Sequence, residues 1–344
     1  MAQHQLKKPE RPTVVGKRDT QAPPQWPSYT GNSQLVGVYP SGRVTVYVDP
    51  TLGDQAVQNA QDLIGDAERI VTANDKIFGT TGGHVDVIIF ALDGATDGTG
   101  GADHMGCDYS TGAAIEVDAS FGNSARVSAL FEAELSECSM GGNLCGCSTG
   151  EALSRWCAAV ISNNALSDFA TAPTWWQDGM PNYVDQTDPT DGNADSTGCG
   201  MAFLSWLMSQ GYSLNDIAQG MVSLTDTGTL AQLYANLASD AASNAWPNFQ
   251  SAIQNAAPIT TDDPFGAISQ PAQLAHLAPW VAELAGKIFA AIVADIAAGK
   301  PEHQIVASVR AVLVTAPSAR RKVVSLHTRR TKSHRLTPPS TKMD

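Results

Sequence analysis

Three glutamates crowd one short segment, FEAELSEC (131–138), where Glu132, Glu134 and Glu137 alternate with apolar residues. A helix advances about 100° per residue, so Glu134 and Glu137 fall roughly 60° apart, in or beside the arc of Val127, Leu130, Phe131 and Cys138. Glu132 points away from that arc and is expected to be solvated. A carboxylate buried without a partner is costly, so the inward pair needs a cation, a hydrogen-bond network or a raised pKa. Backbone amides, Arg126 and Arg155 are the non-metal partners within reach in sequence. The chemistry such a pair could do is general-base work on water, with Glu134 as the base, or cation binding through Glu137.

The segment that follows holds further candidates. Ser148, Thr149, Gly150 and Glu151 match the capping box S-x-x-E, so Glu151 divides between a helix cap and a third site carboxylate. The formal G-x-S-x-G match at 146–150 lacks the leading strand that a nucleophile elbow needs, and no serine nucleophile is expected at Ser148. Two acidic loops could hold calcium or could be plain polar turns. One is DGATDGTGGADH, with Asp93, Asp97 and Asp103, in which Ala95 and His104 break the EF-hand pattern; the other is DPTDGNADS, with Asp188, Asp191, Asn193 and Asp195. The single residue between Cys145 and Cys147 is not zinc-knuckle spacing, and most of the six cysteines are expected to be buried thiols.

The elements that must position these residues read as a small α/β half followed by a helical half, an α+β chain. Strands are expected at 43–49, 84–92 and 113–120, with a helix at 54–78 and a Gly/Asp-rich loop between the last two strands. Helices follow at 124–139, 149–162, 197–210, 214–223, 228–239 and 245–256. This divides the chain into an irregular arm (1–40), a main domain (41–258), a helical appendage (259–316) and a basic disordered tail (317–344).

Charge is uneven along these parts. Residues 21–317 hold 31 of the 34 acidic side chains but only 8 of the 21 Lys and Arg. So acidic a body repels nucleic acid and attracts cations. Glu283, Lys287 and Asp295 interrupt the most apolar stretch (278–297), so no membrane span is expected. The first residues show no apolar signal core, and the protein is expected to be soluble, its compartment unassigned.

One further segment, PTWWQDGMPNY (173–183), resembles the third-ligand segment W-L-x-E-G-x-A-x-Y of gluzincin-type zinc peptidases. Trp175, Gly179 and Tyr183 match it, and Asp178 stands at the ligand glutamate. On the earlier H-E-x-x-H motif, Glu134 takes the place of the catalytic Glu, Ala133 that of the first His and Glu137 that of the second. The resemblance implies a zincin-like fold over about 43–256, Glu134 as catalytic base, and Glu137 and Asp178 as metal ligands with Glu151 as a further candidate. It also implies a peptide or protein substrate. An all-oxygen set suits calcium or manganese better than the family's zinc. His84 and His104, the imidazoles of the main domain (41–258), both precede the acidic helix. A non-catalytic binding or scaffold module, calcium-stabilised through the Asp loops, is the alternative.

Overall fold

The computed structural model describes residues 24–39, 41–109, 114–268 and 287–295, together with 298, 300 and 304. The expected helical appendage and basic tail fall mainly outside these residues. The chain divides into two compact units, Met1–Ile268 and Ser269–Asp344. Residues 259–268, assigned from sequence to the appendage, belong to the first unit, where Ile259, Ala267 and Ile268 join the helical core.

The first unit is α+β, with a mixed five-stranded sheet and a helical half. Strands β1 (Gln34–Val38) and β2 (Val44–Val48) form a hairpin, and helix α1 (Asp54–Phe78) leads to β3 (Val85–Phe90). β4 (Ala102–Met105) and β5 (Ala114–Asp118) complete a sheet of order β1-β2-β3-β5-β4. β2, β3 and β5 run parallel and both edge strands are antiparallel. The parallel strands are covered on both faces, which is why they read as nearly continuous apolar runs. α1 and the next helix cover one face; Trp26 covers Ile88, Phe90 and Ala114 on the other. Residues 24–38 are therefore not a free arm: β1 pairs with β2, and Glu116 accepts hydrogen bonds from the backbone of Ser28 (2.9 Å) and Tyr29 (2.6 Å).

α1 presents Ala56, Ala60, Leu63, Ala67 and Ile70 to the sheet and ends at Gly79, whose φ of 67° is the left-handed C-cap that glycine adopts without strain. The helical half follows as α2 (Ser124–Ser139), α3 (Ser148–Ile161), α4 (Ala172–Gln177), α5 (Ala194–Ser209), α6 (Leu214–Leu224), α7 (Leu230–Ala238) and α8 (Ala245–Ala256). Its core is aromatic: Trp175 stacks on Phe249, which also meets Phe203 and Trp206. Among the described residues, no helix is long and apolar enough to cross a membrane.

α2 joins the halves. It packs on α1 and β5 on one side and on α3 on the other, and β4 also meets it. Ten of its residues from Arg126 to Ser136 are buried, so it has no broad solvated face.

Candidate metal centre

The burial of α2 on opposite sides separates its glutamates differently from the helical wheel. Glu132, expected to be solvated, is fully buried against α1. Asn74 Nδ2 and Ser136 Oγ donate to its Oε1 at 3.1 and 3.2 Å, and Oε2 has no hydrogen-bond partner among the described residues. Burial pushes this carboxyl up to about 8, with Asn74 and Ser136 opposing the shift. The wheel failed because it sets one apolar arc against water, whereas α2 meets α1 and α3 at once.

Glu134 and Glu137 lie on the side towards β4 and α3. The Glu137 carboxylate meets His104 Nε2 at 2.8 Å through Oε2 and accepts from Ser154 Oγ at 3.0 Å through Oε1. The two side chains are 11% and 17% exposed, enough to leave the pair reachable from solvent. Atoms of His104, Glu134 and Glu137 all come within 4.8 Å of one another. Burial, then the charges of Glu137 and Glu151, raises the Glu134 carboxyl well above the usual range. Burial opposes protonation of His104, but the hydrogen bond and charge of Glu137 outweigh it and the ring is raised overall. Its Nδ1 is buried without a regular hydrogen bond, although the Gly106 carbonyl adds to the upward shift.

Glu151 belongs to the same acidic neighbourhood. The capping box does not form: Cys147 is the N-cap of α3, and Ser148 begins the helix with its N–H on the Asp188 carbonyl (3.0 Å). Burial, followed by the Glu137 charge, carries the Glu151 carboxyl up to about 7 against the pull of Arg155. That guanidinium is shared, 3.7 Å from Glu151 and 3.6 Å from Asp262, with a further bond to the Phe169 carbonyl. Arg126 is committed elsewhere, to Asp168 at 2.9 Å, Ser120 at 3.2 Å and the Phe169 ring. Neither arginine reaches Glu134 or Glu137 in a salt bridge among the described residues.

The other sequence candidates are placed apart. Asp178 caps the C-terminus of α4, exposed, and is not in the group formed by His104, Glu134 and Glu137. It acts instead on Asp195, whose carboxyl is raised by burial and then by the Asp178 charge. Trp175 is fully buried, with Nε1 donating to the Pro181 carbonyl at 2.8 Å. His84 bonds Asp86 and the Gly42 carbonyl. Asp97 and Asp103 accept from the backbone of Thr99 and His104, and Asn193 caps α5 while donating to Asp188, so these loop groups are held by local turns. Of the cysteines, Cys138, Cys157 and Cys199 are buried thiols and Cys147 is half-buried, but Cys107 and Cys145 are joined in a disulfide that the spacing did not announce.

From sequence, His104 can approach the acidic helix through the loops but is not placed among the ligand candidates. It sits on β4, four residues within what reads as a Gly/Asp loop, because an edge strand exposed on one side needs no apolar run. The available signal was ADHM, between Gly101 and Gly106 and just ahead of the strand AIEVD. One imidazole and one carboxylate bonded to Ser154, with a second carboxyl beside them, form a mixed nitrogen and oxygen donor set of the kind that suits manganese or zinc.

No protein-family model matches the chain, and no curated protein matches it. Among solved structures, the chain is similar to yeast LTA4 hydrolase in complex with bestatin, at 11% sequence identity and a TM-score of 0.35. The similarity covers 74% of this chain and 48% of that one, so this chain spans about half the length of its neighbour.

Proposed function

We infer that the protein is a metallopeptidase-like, zincin-like protein whose acidic helix binds a divalent cation between His104 of β4 and Glu137 of α2. The observation that carries this reading is the 2.8 Å contact of His104 with Glu137, which brings an imidazole to a helix that has none of its own. The order of elements, a backing helix between strands followed by the acidic helix and a helical half, supports the zincin-like part. Glu134 and Glu151 add negative charge beside the pair, and a cation relieves what burial makes unfavourable there. A bound cation would polarise a water or a carbonyl, and Glu134 would take a proton from that water. Ser154 orients Glu137. The test is metal content of the protein purified from medium with manganese and zinc, set against Glu137→Gln. About one ion per chain, lost in the variant, is expected; equal content in both would overturn the reading.

The position of Asp178 favours a second reading, a non-catalytic metal-binding or scaffold module. The third ligand implied by the gluzincin resemblance stands outside the group. A peptide panel separates the two readings. Cleavage that depends on Glu134, judged by Glu134→Gln, supports the hydrolase; binding of metal without cleavage supports the module.

A further inference from the structure

We propose that the Cys107–Cys145 disulfide is a redox-sensitive strap that holds His104 at the metal centre, an inference that rests on the cation-site reading above. Three observations converge on it. First, β4 is an edge strand of four residues, paired among the described residues to β5 alone, so the ladder holds His104 from one side only. Short edge strands lie at the low end of local stability and open readily. Second, the chain leaves β4 at Met105, and Cys107, three residues beyond His104, is bonded to Cys145 in the turn between α2 and α3. That turn connects the helix bearing Glu134 and Glu137 to the helix bearing Glu151 and Ser154. The disulfide therefore ties the strand that carries the imidazole to the two helices that carry the acids.

Third, the turn itself is anchored. Gly142 N–H donates to the Cys107 carbonyl at 2.8 Å, and Cys147 N–H to the Leu144 carbonyl at 3.1 Å. Gly150 lies so close under the Leu144 carbonyl that a Cβ there would collide with it. Movement of Cys107 is thus resisted by a turn seated on the first turn of α3. Cys147, two residues from Cys145, is a poor internal rival for the bond. Burial, then the charges of Asp226, Asp188 and Asp191, raises its thiol and keeps the attacking thiolate scarce. Opening the strap therefore calls for an external dithiol. Its two thiols transfer two electrons and two protons, Cys107 and Cys145 become thiols, and the dithiol closes to its own disulfide. With the bond open, the segment after β4 keeps the ladder, the Gly142–Cys107 backbone hydrogen bond and the hydroxyl contact of Tyr109 with Ser139 at 2.8 Å, but loses its covalent tie beside His104, which then spends more time away from Glu137.

The test is Mn2+ binding by the full chain, read from loss of the free-ion electron paramagnetic resonance signal. Binding is compared for the oxidised protein, the protein reduced with a phosphine, the same sample reoxidised, and Cys107→Ser/Cys145→Ser. The expected result is a Kd about tenfold weaker on reduction, in the range lost when groups that orient ligands are removed. The oxidised value should return on reoxidation of the native chain, and the double variant should stay weak in every condition. Circular dichroism is followed in each sample. If the double variant does not fold, the reduction and reoxidation cycle on the native chain decides. Equal Kd before and after reduction overturns the strap and leaves the metal site standing. Six free thiols in the oxidised protein, or loss of the whole fold on reduction, also overturns it. Absence of Mn2+ binding in the oxidised protein overturns the metal reading, and the strap with it.

Discussion

The two sides of α2 carry carboxylates with opposite fates. On the side towards α1, Glu132 is sealed in, holds two hydrogen bonds from Asn74 and Ser136, and is pushed up to about 8 by burial. On the side towards β4 and α3, Glu134 and Glu137 meet an imidazole, a serine and a third carboxyl in a place that solvent still reaches. The first arrangement is closed: neutral donors hold one carboxyl oxygen, and burial outweighs them in keeping the acid protonated. The second leaves charge in excess of its partners, which is what a cation site presents before the ion arrives. Two residues along one helix separate a sealed acid from one in a group that solvent reaches, and the difference lies in the neighbouring elements rather than in the residue type.

The largest effect expected from this contrast is on stability against pH, measured by urea unfolding with chelator present. The folded pKa of Glu132, about 8, lies above its ordinary value of 4.5, so the fold binds more protons than the unfolded chain between those values. Stability should fall as pH rises through that window and level off above it, by an amount on the order of a few kcal/mol for this residue. Glu134 and Glu151 are shifted in the same direction, so the contribution of Glu132 is the part of the slope removed by Glu132→Gln. An unchanged slope in that variant would place Glu132 with the solvated acids.

How far this contrast could be read from sequence depends on the residue. The ends of α1 and α2 were legible because amphipathic spacing and caps are local signals. The inward pair was legible too, since Glu134 and Glu137 share an arc of the helix. Glu132 was not, because a wheel shows the arc a helix buries only when one side is packed, and α2 is packed on two. His104 was hidden for the opposite reason: an edge strand with one wet face carries little hydrophobic pattern. The capping role of Glu151 failed on a shift of one residue in the start of α3, which moved Ser148 from cap to first turn. The pairing of Cys107 with Cys145 depends on the meeting of two turns far apart in sequence, and spacing alone does not encode it.

The next effect sharpens the contrast at the site. Glu137→Gln should weaken Mn2+ binding by about 100-fold or more, since it removes a direct ligand. The same change should leave the urea midpoint at pH 7 nearly unmoved, because an acid crowded by Glu134 and Glu151 adds little to the fold. Titration calorimetry and urea unfolding on one preparation give both values; a large loss of stability with binding intact would reverse the assignments of the two sides.

Smaller still is the effect of Ser154→Ala. Ser154 orients Glu137 without reaching the ion, so the loss in Mn2+ affinity should be about tenfold. Smallest is Asp178→Asn, which should change affinity by less than about twofold, because Asp178 is exposed beyond the group. Calorimetric titration ranks the two. A larger loss at Asp178 than at Ser154 would restore the ligand set implied by the gluzincin resemblance.

In the metal-site reading, β4 supplies the imidazole that the acidic helix lacks. Pulsed electron paramagnetic resonance of the Mn2+-loaded protein tests it directly, through nitrogen modulation of the bound ion. A coordinated histidine nitrogen is expected, with a signal that disappears in His104→Ala. Bound Mn2+ with no nitrogen coupling, or coupling that survives in the variant, would contradict it.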